Sequence, residues 1–228
     1  MNDRSDNLPD VLAECGIELP EAQLKRLEQY AQLLWEWNAK LNLTRHTDWR
    51  KFVTRDLVDT LAFSEFLAAG ERVLDVGTGG GVPGVPLAIL RPDLTVSLSE
   101  SVKKRAHAVA DIVGRLRLDV PVYESRAEDV LAGHPQNTLL VRAVAPLAKL
   151  LRWFRPHFDC FDRLVVLKGP AWSEERGEAR HLGLLKNVAL RKLKSYAMPG
   201  SDSQSVLLQL CPQNRMLDAR TCRLTEWK

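Results

Sequence analysis

The chain has 228 residues, 45% of them hydrophobic and 27% charged, with a formal net charge of +3 and a pI near 8.7. This length and balance suit one large globular unit or a unit with an appendage; they exclude wholesale disorder and a fibrous architecture, and give only a faint pull toward a polyanion. Cys15, Cys160, Cys211 and Cys222 form no CxxC pair, so neither a zinc ribbon nor a disulfide framework is indicated, and a reduced cytoplasmic compartment fits.

The opening MNDRSDNLPD is acidic and polar, unlike a secretory signal, and no run approaches the ~20 apolar residues that span a bilayer. From Pro20 to Leu41, Leu24, Leu27, Ala31, Leu34, Asn38 and Leu41 fall at steps of three and four, apolar but for Asn38. That spacing predicts an amphipathic helix, with Pro20 at its first position. A second helix is expected from about Arg50 to Ala69 through Val53, Leu57 and Leu61, with Gly70 as its stop. Residues 1–70 therefore read as an N-terminal helical cap.

After Gly70 the texture changes. RVLDV, LTVSLSE, VPVYES and NTLLVRAV are strand-like, separated by helical stretches near 83–90, 101–117 and 130–134. A helix near 146–156, the strand DRLVVLKG, a charged helix near 173–187 and strands near 189–197 and 205–210 follow. Such alternation predicts a doubly wound, mostly parallel sheet of Rossmann-like type over 71–210. The last two strands, joined by MPGSDSQ, pair as a hairpin and put an antiparallel edge on the sheet. Residues 211–228 have no period and read as an irregular tail.

VLDVGTGGGVPGVPLAIL carries the chemistry: after Asp75, five of the eight residues from Gly77 to Gly84 are glycine. Bare backbone where a buried strand turns into a helix permits left-handed dihedrals and the close approach of a nucleotide. Gly79, Gly81 and Gly84 satisfy the dinucleotide spacing GxGxxG, but Pro83 and Pro86 remove amide donors that a pyrophosphate would want. Asp75, Gly77 and Gly79 form instead the DxGxG pattern of S-adenosylmethionine sites, where a carboxylate can reach the methionine ammonium. Glu100, at the end of the second strand, suits ribose hydroxyls of either cofactor.

WNAKLNLT (37–44), LDVGTGGGVPGVPLAILRPD (74–93), ESVKKRAHA (100–108), ESRAEDV (124–130), VRAVAPLAKL (141–150) and LVVLKGP (164–170) together resemble the glucose-inhibited division protein B family. That is the bacterial small-subunit ribosomal RNA methyltransferase G family. The resemblance spans roughly 8–210 and implies a class I methyltransferase fold and S-adenosylmethionine-dependent methylation of N7 of a guanine in 16S ribosomal RNA, free or in a 30S subunit or assembly intermediate. It places Gly77, Val82, Glu100, Ala127, Glu128 and Arg142 at cofactor positions, beside Asp75 and Gly79 of the DxGxG pattern. Arg126, Arg142 and Lys168 match basic residues of the active-site cleft. A monomer with no membrane partner is expected.

The chemistry agrees with what is missing. N7 of guanine has a lone pair and no proton, so alignment rather than a general base or covalent intermediate can carry the reaction. The Asn/Asp-Pro-Pro-aromatic motif of amine methylases is absent, and Cys160 lacks the preceding proline of a pyrimidine C5 nucleophile. There are departures. The family's Arg-His-x-x-Asp-Ser reads Arg55, Asp56, Leu57, Val58, Asp59, Thr60; Ser-Arg-Ala-Phe becomes Val141–Val144; and an Arg-His pair becomes Gln204, Ser205. They motivate a second reading, an RNA-binding ribosome-assembly factor without turnover; the GxGxxG match motivates a third, a nicotinamide-dependent oxidoreductase.

Lys103, Lys104 and Arg105 read as a solvated face with RNA contact as the alternative, and Arg191, Lys192 and Lys194 as a protected strand edge. Tyr30, Trp35 and Trp37 read as packing residues. The five histidines lack metal-ligand spacing and none is assigned to a metal.

Overall fold

RVLDV forms β1 (Arg72–Val76), buried from Val73 onward. A strand apolar on both faces belongs inside a parallel sheet. The computed structural model describes residues 7–200 and 204–215. With β2 (Thr95–Ser99), β3 (Val122–Tyr123), β4 (Gln136–Arg142), β5 (Phe161–Lys168), β6 (Val188–Ala197) and β7 (Gln204–Pro212), it forms a seven-stranded sheet in the order β3-β2-β1-β4-β5-β7-β6. β1 to β5 pair in parallel, and β7 runs against both its neighbours. Strand order reverses between β1 and β4, which opens a crevice at their carboxyl ends.

The expected hairpin is present, but its antiparallel strand is not the edge. β7 slots between β5 and β6, so the edge strand β6 runs parallel to β5. Burial explains the order: Val206–Cys211 are buried without interruption, whereas no residue of β6 is fully buried. The more apolar strand takes the inner place, and β6 presents Arg191, Lys192 and Lys194 along the edge.

The N-terminal helices are α1 (Leu8–Glu14), α2 (Glu21–Leu41), α3 (Trp49–Lys51) and α4 (Val58–Ser64), the last two joined by a π-helical segment, Phe52–Leu57. Pro20 caps α2 rather than entering it, with ψ at 141°. The second helix ends at Ser64, five residues before the expected Ala69; Leu67 is fully buried outside it, so its apolar spacing reflects loop packing. α5 (Gly84–Leu90), α6 (Lys103–Arg115), α7 (Ala127–Gly133), α8 (Leu147–Phe154) and α9 (Trp172–His181) alternate with the strands. α7 starts earlier than the expected 130, and α9 stops short of 187. Cys211 and Pro212, assigned to the tail by sequence, lie in β7; Gln213–Arg215 form a 3₁₀ turn, and 216–228 lie outside the described residues.

Two apolar clusters flank the sheet. One joins Leu8, Leu27, Leu34, Phe52 and Phe63 of the N-terminal helices to Val73, Val85, Leu98 and Val109. The other packs α8 residues Leu147, Leu151 and Phe154 against Leu139, Phe161 and Leu208. The helical region thus shares its core with the sheet.

Candidate functional site

The glycine loop is held from inside by Asp75. Its Oδ2 accepts hydrogen bonds from Thr78 Oγ1 at 2.6 Å and from the Gly84 amide at 2.9 Å, tying the strand end to the start of α5. The carboxylate is 1% exposed and lies outside the lining of the neighbouring cleft, and Asp75 shapes the loop from beneath. Tyr30 reaches the loop from α2, donating its hydroxyl to the Gly80 carbonyl at 2.8 Å.

The five glycines do different work. Gly77 is exposed at φ +63°, with room for a ligand outside and Val144 within 3.3 Å of any added Cβ. A left-handed backbone at that point favours glycine over any L side chain. Gly84, in contrast, is glycine for space: a Cβ there would lie 2.2 Å from Leu98 Cδ2 and 2.9 Å from Asp75 Oδ2.

Beside Gly77 lies a cavity of about 180 Å³, lined by Ser99, Ser101, Arg126, Ala127, Glu128 and Val144 among others. Gly77, Arg126, Ala127 and Glu128 of the sequence-derived set meet on its walls. Glu100 stands behind it, 5% exposed, its Oε2 accepting from the Gly79 amide at 3.1 Å and its Oε1 from the Val102 amide at 2.8 Å. Each oxygen keeps a second acceptor position, which suits ribose hydroxyls. Val82 lies farther along the loop, outside this lining. A larger cavity, about 650 Å³ near Arg155 and Arg215, lies at the amino ends of the parallel strands, away from where such sheets bind ligands.

A second cavity, about 640 Å³, opens on the other side of Val144 and is lined by Arg45, His46, Asp59, Arg142, Lys168 and Glu175 among others. Two of the expected basic residues are not free in it. Arg142 donates to Asp56 Oδ1 at 2.7 Å and Asp59 Oδ2 at 2.9 Å. Lys168 donates to the Ala145 carbonyl and pairs with Glu175 at 2.7 Å. Arg126 is exposed, and its guanidinium has no partner among the described residues. Sequence reading missed Asp59 as a site residue, and with it His46 and Tyr196: His46 Nδ1 lies 2.8 Å from Asp56 Oδ1, and Tyr196 donates to Asp59 Oδ1 at 2.7 Å. The spacing of Asp56 and Asp59, three residues apart on one helical face, was the available signal. Thus the departure at Asp56 is absorbed into an ion-pair network, whereas Gln204 is an exposed residue opposite Ala197.

Burial pushes the Asp59 carboxyl up against the pull of Arg142, and Arg142 is held above its ordinary value by both carboxylates in spite of its burial. Burial, with Asp59 beside it, likewise raises Tyr196. Asp75 is raised to about 6, because burial outweighs its bonds from Thr78 and Gly84. A carboxyl raised in the folded state favours folding while protonated; that contribution is complete below pH ~4 and lost as pH rises through about 6. Asp75→Asn keeps an oxygen for Thr78 and Gly84 and cannot ionise. Urea unfolding between pH 4 and 7 should therefore show the variant gaining on wild type as pH rises, by about 3 kcal/mol at most. Parallel curves would refute the assignment.

The strand order, the lone antiparallel strand and a glycine loop at the carboxyl end of β1 define the class I methyltransferase fold. The same fold is found at a TM-score of 0.53 and 17% identity in a mutant of MtNAS in complex with S-adenosylmethionine, covering 92% of this chain and 86% of that one. A dimethyladenosine transferase from Plasmodium falciparum matches at a TM-score of 0.51 and 15% identity, over 70% of this chain and 62% of its own.

The chain belongs to the GidB family, rRNA small subunit methyltransferase G, whose family model matches residues 23–204. It is 51% identical over 187 residues to ribosomal RNA small subunit methyltransferase G of Rhodopirellula baltica, covering 82% of this chain and 81% of that protein. The corresponding protein of Escherichia fergusonii is 30% identical over 208 residues, 91% and 98% of the two chains. The protein is an rRNA methyltransferase, and S-adenosylmethionine is its methyl donor. Among the described residues no helix is long and apolar enough to cross a membrane.

Proposed function

We propose that the protein methylates N7 of a guanine in 16S ribosomal RNA, acting in the cytoplasm as a monomer on the 30S subunit or its precursor. The observation that carries this reading is the pair of cavities meeting at Val144, one beside the glycine loop and one lined by Asp59 and Arg142. The first takes S-adenosylmethionine against Gly77, Ala127 and Glu128, with Glu100 and Gly79 behind them; the second takes the acceptor base. Bound S-adenosylmethionine supplies an electrophilic methyl group. Transfer to a proton-free nitrogen needs no base and leaves the purine positively charged.

The acceptor cavity suits that outcome. On the inner wall Asp56 and Asp59 face one guanidinium, Arg142, and Lys168 is balanced by Glu175, so the excess carboxylate lies beside His46, while the exposed Arg45 stands at the rim. Charge placed in advance where it will develop is an effective form of catalysis. Arg45 and Arg126, exposed at the rims of the two cavities, are placed for RNA phosphates.

Calorimetric titration should show binding of S-adenosylmethionine and S-adenosylhomocysteine and none of NADH. Nucleoside mass spectrometry of small-subunit RNA from a strain lacking the gene should show N7-methylguanosine reduced. Unchanged N7-methylguanosine would refute the substrate.

A further inference from the structure

We propose that His46, held by Asp56, is the residue that reads the acceptor guanine, accepting a hydrogen bond at Nε2 from its N1–H and 2-amino edge so that N7 turns toward the cofactor cavity. The inference rests on the guanine-N7 reading above. His46 lies in the loop after α2, ten residues before Asp56, and its ring is 26% exposed on the wall of the 640 Å³ cavity. That volume accommodates a nucleotide. Nδ1 sits 2.8 Å from Asp56 Oδ1, an oxygen that also accepts from Arg142, whereas Nε2 has no partner among the described residues.

The tautomer follows from the partner. A carboxylate accepts only, so Nδ1 carries a proton, and the tautomer that this bond selects presents the Nε2 lone pair to the cavity. An acceptor at that point suits a base whose Watson–Crick edge donates from two adjacent nitrogens, as guanine's does. In a purine that edge lies across the ring system from N7. Gripping it at the His46 wall leaves N7 pointing away from that wall, free to face Val144, which lines both cavities.

Asp56 supplies the second observation. It is 1% exposed and its Oδ2 has no hydrogen-bond partner among the described residues, so the fold retains a buried, half-satisfied carboxylate. Such a group costs stability. Its other oxygen fixes both His46 and Arg142, two members of the acceptor cavity. Asp56 is therefore a positioning residue, and His46 the base contact.

Three variants separate this from a structural role. His46→Gln keeps an acceptor near the ε position without the bond to Asp56; His46→Asn keeps a donor to Asp56 and presents nothing to the base; His46→Ala does neither. Single-turnover methyl transfer would be measured on small ribosomal subunits from a strain lacking the gene, with S-adenosylmethionine affinity by calorimetry alongside. We expect His46→Ala and His46→Asn to slow transfer roughly tenfold or more, His46→Gln to recover most of the rate, and cofactor affinity to stay within about twofold in all three. Recovery by Asn and not by Gln, or wild-type rates in all three, would overturn the inference alone. Absence of transfer by wild-type protein to any guanine N7 would overturn the underlying reading and the inference with it.

Discussion

Replacing Arg142 with methionine is expected to be among the most damaging single changes in this protein. Among the described residues its guanidinium is the one cationic partner of Asp59 and shares Asp56 with His46, and both acids are almost wholly buried. Breaking a buried pair by removing one member leaves charge uncompensated and costs about 3–5 kcal/mol. For a chain of this size that corresponds to a melting temperature lower by about 6–20 °C. Transfer should fall roughly 100-fold, because the acceptor cavity loses the group that fixes its floor. Adding Asp59→Asn to the variant should return part of the stability without the activity. Denaturant midpoints of the two single variants and the double close the cycle, and a double variant no more stable than Arg142→Met would show that the carboxylate is not the source of the cost.

The second large effect is expected at Gly84. An alanine there places its Cβ 2.2 Å from Leu98 Cδ2, inside the fully buried core, and about 3 Å from Asp75. Relief requires moving Leu98 or the Asp75 carboxylate that holds the loop, so the penalty should reach the upper end of overpacking costs, about 3 kcal/mol, a fall of about 6–12 °C. Gly79→Ala is the contrast. Nothing lies within 4 Å of its added Cβ, and only the left-handed backbone at φ +59° opposes it, worth about 1–2 kcal/mol. Thermal unfolding of both decides the matter: equal shifts would mean that the loop, rather than the contact with Leu98, absorbs the methyl group.

These contrasts mark what the sequence could convey. β1 is legible to the residue because a short apolar run closed by glycine leaves little freedom for a strand buried on both faces. The place of β7 was partly legible too: Val206–Cys211 is more apolar than Val188–Ala197, and the inner position goes to the strand with less to solvate. The π-helical turn at Phe52–Leu57 has no local signature, since it arises where α3 and α4 meet the core. The five glycines look alike in one dimension. Only their neighbours, Val144 for Gly77 and Leu98 for Gly84, separate a cavity-facing position from a packing one. His46 and Asp56 are ordinary polar residues until the loop after α2 folds back on the π-helical turn.

The bond from Tyr30 to Gly80 couples the inner side of the cofactor loop to the longest helix in the described chain. Ligand-binding loops are commonly drawn from the least stable parts of a fold. This one is anchored at the Gly80 carbonyl to a fully buried tyrosine, so that carbonyl can move only when α2 moves with it. The rest of the cavity wall, with Ser101, Ser125 and Arg126 on short turns, has no such anchor to α2, so the glycine side is the fixed jamb of the opening.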